Sequence, residues 1–128
     1  MANLRQTILI RTDLGFPVGL LTAQVAHLHF QRFRTMITGK EKFTNDDLEW
    51  MADPYIYVHE AKNIETLQHY EKLAEQNKIP LTSWLDTVYI KFSETQMQAV
   101  PAVHIGIVLG PCDSDKIKAV IGDLPLLN

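Results

Sequence analysis

Apolar residues fall along this chain in short blocks whose spacing switches between strand-like and helix-like. Thr7 to Arg11 (TILIR) is a compact apolar run bounded by the turn-forming Thr12-Asp13-Leu14-Gly15, and it predicts a central buried strand. Pro17 stands where a first helical turn tolerates proline. From Pro17 to about Met36, Val18, Leu21, Val25, Leu28 and Arg32 share one stripe, and Leu20, Gln24, His27 and Gln31 a neighbouring, more polar one. That spacing predicts a long helix, ended by Gly39. Thr44-Asn45-Asp46 can cap a short helix from Asp46 to Met51, broken by Asp53-Pro54.

Tyr55 to His59 (YIYVH) predicts a second strand, and Asn63 caps a helix through Gln76 with Ile64, Leu67, Tyr70, Leu73 and Ala74 as its apolar stripe. Leu81 to Asp86 predicts a third strand ending at the acidic residue; Val88 to Phe92 either continues it after a bend or pairs back on it. Val103 to Leu109 predicts a fourth, followed by a Gly110-Pro111 turn. Asp113 or Ser114 caps a last helix, Asp115 to Ile121, which Gly122 ends before the apolar stretch Leu124 to Leu127. Strands alternating with helices predict an α/β fold with a mostly parallel sheet, helices on both faces and one antiparallel pair late in the chain. In such sheets ligands bind beyond the carboxyl ends of strands, at helix N-termini, which directs attention to Thr12–Val18, within the Arg11–His27 junction, and to Asp86.

The 128 residues fit one domain spanning 1–128, and 46% hydrophobic with 21% charged residues is ordinary globular composition. A formal net charge of -3 speaks against strong non-specific binding of nucleic acid, which needs a basic surplus. Cys112 is the single cysteine, so no intramolecular disulfide forms. The apolar run near the N-terminus is too short for a signal-peptide core or a membrane span, so we read the chain as cytoplasmic, without a membrane partner.

Four features could carry chemistry. The Thr12-Asp13-Leu14-Gly15 turn precedes a helix start, whose free N–H groups attract anions; a simple turn in which Asp13 caps the helix fits equally well. Gln24 and His27, three apart, share a helix face, where His27 is either a general base or ligand contact, or a histidine tied to a structural partner. Asp86 can orient water or merely form a turn. Cys112 has no base to activate it, and reads as an inert thiol. His29 faces away from His27, and His59, His69 and His104 are scattered without metal-ligand spacing, so no metal or other cofactor is expected. Trp50 and Trp84 read as core or interface aromatics.

Three blocks taken together resemble the type-2 peptidyl-tRNA hydrolase family. The stretch ILIRTDLGFPVGLLTAQVAHLHF is similar to that family's apolar strand, Arg-Asn-Asp-Leu turn, lysine-bearing helix start and Ala-Gln…His helix. Asp86 matches its strand-end aspartate. The stretch IGIVLGPCDSDKIKAVIGDLPLL is similar to its closing strand, Gly-Pro turn, helix and Leu-rich tail. The resemblance implies a three-layer α/β/α sandwich with a four-stranded mixed sheet, a homodimer, and metal-free hydrolysis of the ester joining a peptide to a tRNA 3′ end. Carried over residue by residue, it implies Asp86, His27 and Thr95 as catalytic candidates and Asp13 and Gln24 as ligand-binding ones; Thr12, in the same turn, is a further ligand-binding candidate.

The departures point elsewhere. Where the family pattern reads Gly-Lys-Gly-Lys, this chain has Pro17-Val18-Gly19-Leu20, so Val18 and Leu20 give the site an apolar rim. The family's asparagine is Thr12, its threonine in the last strand falls near Ile105, and its Thr-Gln pair appears only at Thr95-Gln96, about five residues late. Losing one cation that stabilises developing negative charge commonly costs a factor of roughly 10² to 10³ in rate. The resemblance therefore leaves two readings: a hydrolase acting through Asp86, His27 and Thr95, or a non-catalytic module binding a small ligand or protein partner in the same cleft, with tRNA a doubtful partner.

Overall fold

A computed structural model describes residues 3–39, 43–91 and 93–128. The elements are β1 (Leu4–Arg11), α1 (Val18–Thr38), α2 (Asn45–Ala52), β2 (Ile56–Ala61), α3 (Ile64–Gln76), β3 (Leu81–Lys91), β4 (Met97–Asp113) and α4 (Ser114–Ile121). They form one four-stranded sheet in the order β2-β1-β4-β3.

The sheet is mixed rather than mostly parallel. Among the described residues only β1 and β2 pair in parallel, while β4 runs antiparallel to both β1 and β3. The reason lies in the connections. A parallel pair needs a long crossover, which α1 and α2 provide between β1 and β2; the few residues joining β3 to β4 permit only an antiparallel hairpin. Strands β1, β2 and β3 do point the same way, as alternation predicts, but β4 inserts itself between β1 and β3 and breaks the parallel run.

Strand β1 shows why Ile8-Leu9-Ile10 is an unbroken apolar run. Ile8 and Ile10 pack on one face with Leu28, Ile105 and Val108, against which Leu21 and Val25 of α1 also lie. Leu9 points to the other face, among Leu67 and Ala74 of α3 and Ile117, Val120 and Ile121 of α4. All three β1 residues are fully buried, as expected for a strand covered on both sides. Truncating a residue such as the fully buried Leu28 to alanine costs roughly 2–5 kcal/mol.

Local signals fix the helix ends. Thr44 and Asp47 form a reciprocal capping box on α2, and Asn63 Oδ1 accepts from the Thr66 N–H at the start of α3. Asp113, not Ser114, caps α4 by accepting from the Asp115 N–H. Arg32, on the apolar stripe of α1, is buried: its Nε donates to the Gly110 carbonyl at 2.7 Å, and its guanidinium faces Asp47 at 3.7 Å.

Two expected boundaries move. The Gly110-Pro111 dipeptide lies inside β4, because pairing with β1 continues past it at Arg5–Cys112 and Leu4–Asp113; a register shift in β1 between Arg5 and Thr7 accommodates the irregularity. Asp86 is interior to β3 and not at its end. A register shift between Asp86 and Val88 lets the strand bend and run on to Lys91. Phe92, expected within that continuation, falls outside the described residues.

Candidate functional site

The turn after β1 carries the chain to the start of α1. Gly15 makes it possible with φ +72, a left-handed conformation that side-chain-bearing residues rarely adopt. Asp13 does not cap the helix. Its carboxylate takes a two-pronged contact from Arg11, Nε to Oδ1 at 3.0 Å and Nη2 to Oδ2 at 2.9 Å. That hydrogen bonding holds the Asp13 carboxyl below its ordinary range. Arg11 also donates to the His104 carbonyl at 3.2 Å, so the pair pins the turn to β4. Thr12 donates its backbone N–H to the Ala61 carbonyl. Pro17 occupies the N-cap without a side-chain hydrogen bond.

Beyond this turn lies an open cleft of about 840 Å³ between the start of α1 and the β3–β4 hairpin. Gln24 and Asp86 meet in its wall: Gln24 Nε2 donates to Asp86 Oδ2 at 2.8 Å. The other carboxylate oxygen, Oδ1, accepts the Thr87 backbone N–H at 2.8 Å. A carboxylate has about four lone-pair directions, so these two bonds leave acceptor capacity for a water or ligand hydroxyl. Around the pair stand Leu14, Phe16, Leu20, Val88, Tyr89 and Met97. Among the described residues that line the cleft there is no lysine or arginine.

Of the residues expected from sequence, the structure brings Gln24, Asp86 and Leu20 together. Val18 is 81% exposed on the outer surface of the helix start, outside the lining. Thr12 and Asp13 stand beside the cleft in the preceding turn rather than in its wall. Thr95 sits in the tip of the hairpin, beyond the Lys91–Met97 pair, with its N–H on Ser93 Oγ at 3.4 Å. Lys91 lies five residue steps beyond Asp86 along β3, about 16 Å at ordinary strand rise, so the hairpin carries Thr95 away from Asp86.

His27 lies on the exposed side of α1 and reaches β3 through Trp84. The two rings stack with centroids 5.4 Å apart and planes 22° apart. Trp84 also donates its indole Nε1–H to Gln24 Oε1 at 2.8 Å. Trp84 is therefore part of the site and not simply a core aromatic. The missed signal was the period of two: Trp84 and Asp86 share a face of β3, the face that meets Gln24. Trp50 does pack in the interior, with Leu4 and Met36.

His29, His59 and Cys112 stand apart from the cleft. His29 bonds Gln6 through Nδ1 at 2.7 Å, and His59 Nδ1 faces the Leu124 carbonyl at 2.8 Å. Burial pushes the Cys112 thiol up to about 11, which suits an inert thiol. Among the described residues no group of three or more His, Cys, Asp or Glu side chains could hold a metal ion.

The family model for peptidyl-tRNA hydrolase PTH2 matches residues 4–127, nearly the whole chain. The chain belongs to the peptidyl-tRNA hydrolase PTH2 family. Among curated relatives, the peptidyl-tRNA hydrolase of Sulfurisphaera tokodaii is 29% identical over 126 residues, covering 96% of this chain and 98% of its own. That of Methanopyrus kandleri is 30% identical over 125 residues, with 97% and 98% covered. That of Sulfolobus acidocaldarius is 27% identical over 125 residues, with 97% and 100% covered. Family membership and these relatives indicate a type-2 peptidyl-tRNA hydrolase, for which tRNA is the implied substrate. Within that family frame, the Gln24–Asp86 pair is the part of the expected site that the fold assembles.

Proposed function

We propose that the Gln24–Asp86 cleft is the working site of this PTH2 family member, and that it turns over peptidyl-tRNA far more slowly than a cation-rimmed site. In its place the cleft favours a weakly charged organic ligand. The observation that carries this reading is the lining itself: a hydrogen-bonded carboxamide–carboxylate pair walled by Leu14, Phe16, Leu20, Val88, Tyr89 and Met97. Apolar walls with a few convergent polar groups suit a small molecule. A phosphate-rich substrate needs cations for affinity, and an ester hydrolysis needs stabilisation of the charge that develops on oxygen.

Within this reading Asp86 is the acceptor that orients a water or hydroxyl, and Gln24 holds its carboxylate. Leu20 sets the polarity of the rim, with Val18 outside it. Thr12 and Asp13 shape the approach, Asp13 as the anchor of Arg11. His27 acts through Trp84, and Thr95 takes no part in chemistry at Asp86. The helix packing on either side of β1 we read as a three-layer α/β/α arrangement, and the protein as a cytoplasmic homodimer, in keeping with the family resemblance.

The test is hydrolysis of an N-blocked aminoacyl-tRNA, measured beside the Methanopyrus kandleri relative under the same conditions. The expected rate is lower by a factor of roughly 10² or more. A rate equal to that of the relative overturns the proposal and leaves an ordinary hydrolase.

A further inference from the structure

A carboxamide has two nearly isosteric ends, and which end faces Asp86 decides whether Gln24 supports the carboxylate or opposes it. With Nε2 toward Asp86 the contact is a hydrogen bond to a charged acceptor; with Oε1 toward it, two acceptors would face each other. Nothing in Gln24 itself selects between the two. The indole of Trp84 does, because its Nε1–H can only donate. It reaches Gln24 Oε1 at 2.8 Å, and this leaves Nε2 for Asp86 Oδ2, also at 2.8 Å.

We propose that Trp84 is a positioning residue for the cleft: its indole N–H fixes the carboxamide orientation of Gln24, and through it the carboxylate of Asp86. The inference rests on reading the cleft as the functional site, but the relay itself is a matter of geometry. Three observations make the relay stiff. Gln24 is buried, so water does not compete freely for its amide. Trp84 is also held across its ring face by the stacked ring of His27. Trp84 and Asp86 lie two apart on one strand, so a shift of one carries the other. Trp84 is also paired across the ladder with Gly106, where absence of a side chain lets α1 approach the sheet through Leu28. The exposed His27 thus gains a role without touching a ligand: it holds the ring that holds the amide.

The experiment separates the N–H from the bulk of the ring. Site-specific replacement of Trp84 by 3-benzothienylalanine keeps the fused ring and the stack on His27 but removes the donor. By NMR, the side-chain NH2 signals of Gln24 are sharp and distinct in the unaltered protein; in the benzothienyl variant they broaden or merge as the amide samples both orientations. In the reciprocal variant, Gln24→Leu, the Trp84 indole N–H exchanges with solvent at least about tenfold faster, as an unmade hydrogen bond should, while the Trp50 indole, which donates to the Tyr55 carbonyl, is unchanged. Gln24 signals indifferent to loss of the indole N–H overturn the proposal. Because these readouts need no turnover, they stand whether or not the protein hydrolyses peptidyl-tRNA. Any residual hydrolysis supplies a second arm: the benzothienyl variant and Gln24→Leu should lower it by similar factors and not multiply when combined. Multiplicative losses count against a shared role.

Discussion

Gly106 stands opposite Trp84 in the β3–β4 ladder, and a side chain there would meet both the Leu9 carbonyl of β1 and Leu28 of α1. A Cβ built there would lie 2.5 Å from the Leu9 carbonyl oxygen and 2.8 Å from Leu28 Cδ1. The backbone oxygen cannot yield. Gly106→Ala is therefore expected to destabilise the protein by about 1–3 kcal/mol, the usual range for forcing atoms into a filled core. Urea unfolding followed by far-UV circular dichroism checks it; an unchanged midpoint would show that the space at Gly106 between β1 and α1 is wider than described.

The polarity of the rim can be reversed where it differs from the family pattern. Val18 and Leu20 are both exposed, so Val18→Lys with Leu20→Lys should leave stability within about 0.5 kcal/mol. Hydrolysis of N-blocked aminoacyl-tRNA should rise by roughly tenfold or more, with tRNA binding that weakens as salt is added. An unaltered rate and an unaltered salt dependence would sink the argument that the missing cations limit the reaction.

Histidine burial gives the protein an acid sensitivity of definite sign. Burial lowers the proton affinity of both His29 and His59; for His59 a hydrogen bond to the Leu124 carbonyl opposes the shift, and the neighbouring Arg5 guanidinium adds to it. In the unfolded chain both protonate near pH 6.5, while in the folded chain they do so only at lower pH. The unfolded state thus binds more protons in this window, and stability falls as pH drops below about 6.5. The Arg11–Asp13 pair contributes only near and below the ordinary carboxylate range, so it does not obscure the effect. The urea midpoint should be lower at pH 5.5 than at pH 7.5, and the double variant His29→Gln with His59→Gln should flatten that slope.

Cys112 offers a simple probe of native burial. With its thiol pushed up to about 11 and its side chain enclosed, little thiolate exists at pH 8. Alkylation by iodoacetamide is expected to be at least about tenfold slower in the native protein than in urea. Comparable rates in the two states would mean that the C-terminal part of β4 opens readily.

The strands and helices of this chain are legible from residue spacing because each has a clear period and a marked end. TILIR announces a strand covered on both faces, and Asn63 and Gly39 act as the helix boundaries their chemistry suggests. Strand direction is not legible in the same way. It depends on β4 entering between β1 and β3, a long-range choice that no local window records. The Gly110-Pro111 pair misleads for a related reason: its turn chemistry is real, but pairing with β1 on both sides outweighs it. At the site, Gln24 and Asp86 could be named from the family resemblance, whereas their union with Trp84 requires knowing that β3 lies against α1.

The two margins of the sheet are finished differently. Along the outer side of β2, Glu60 donates to the Pro125 carbonyl and Leu127 to the Val58 carbonyl, so residues 125–127 run as a selvedge on that strand. The opposite margin is β3, eleven residues long, whose Leu85, Tyr89 and Ile90 are more than half exposed. Long edge strands with apolar side chains recruit further strands. Edge recruitment at high protein concentration is therefore expected at this margin, which carries Asp86 and one wall of the cleft. On the reading proposed above, association through β3 and occupation of the cleft draw on the same strand.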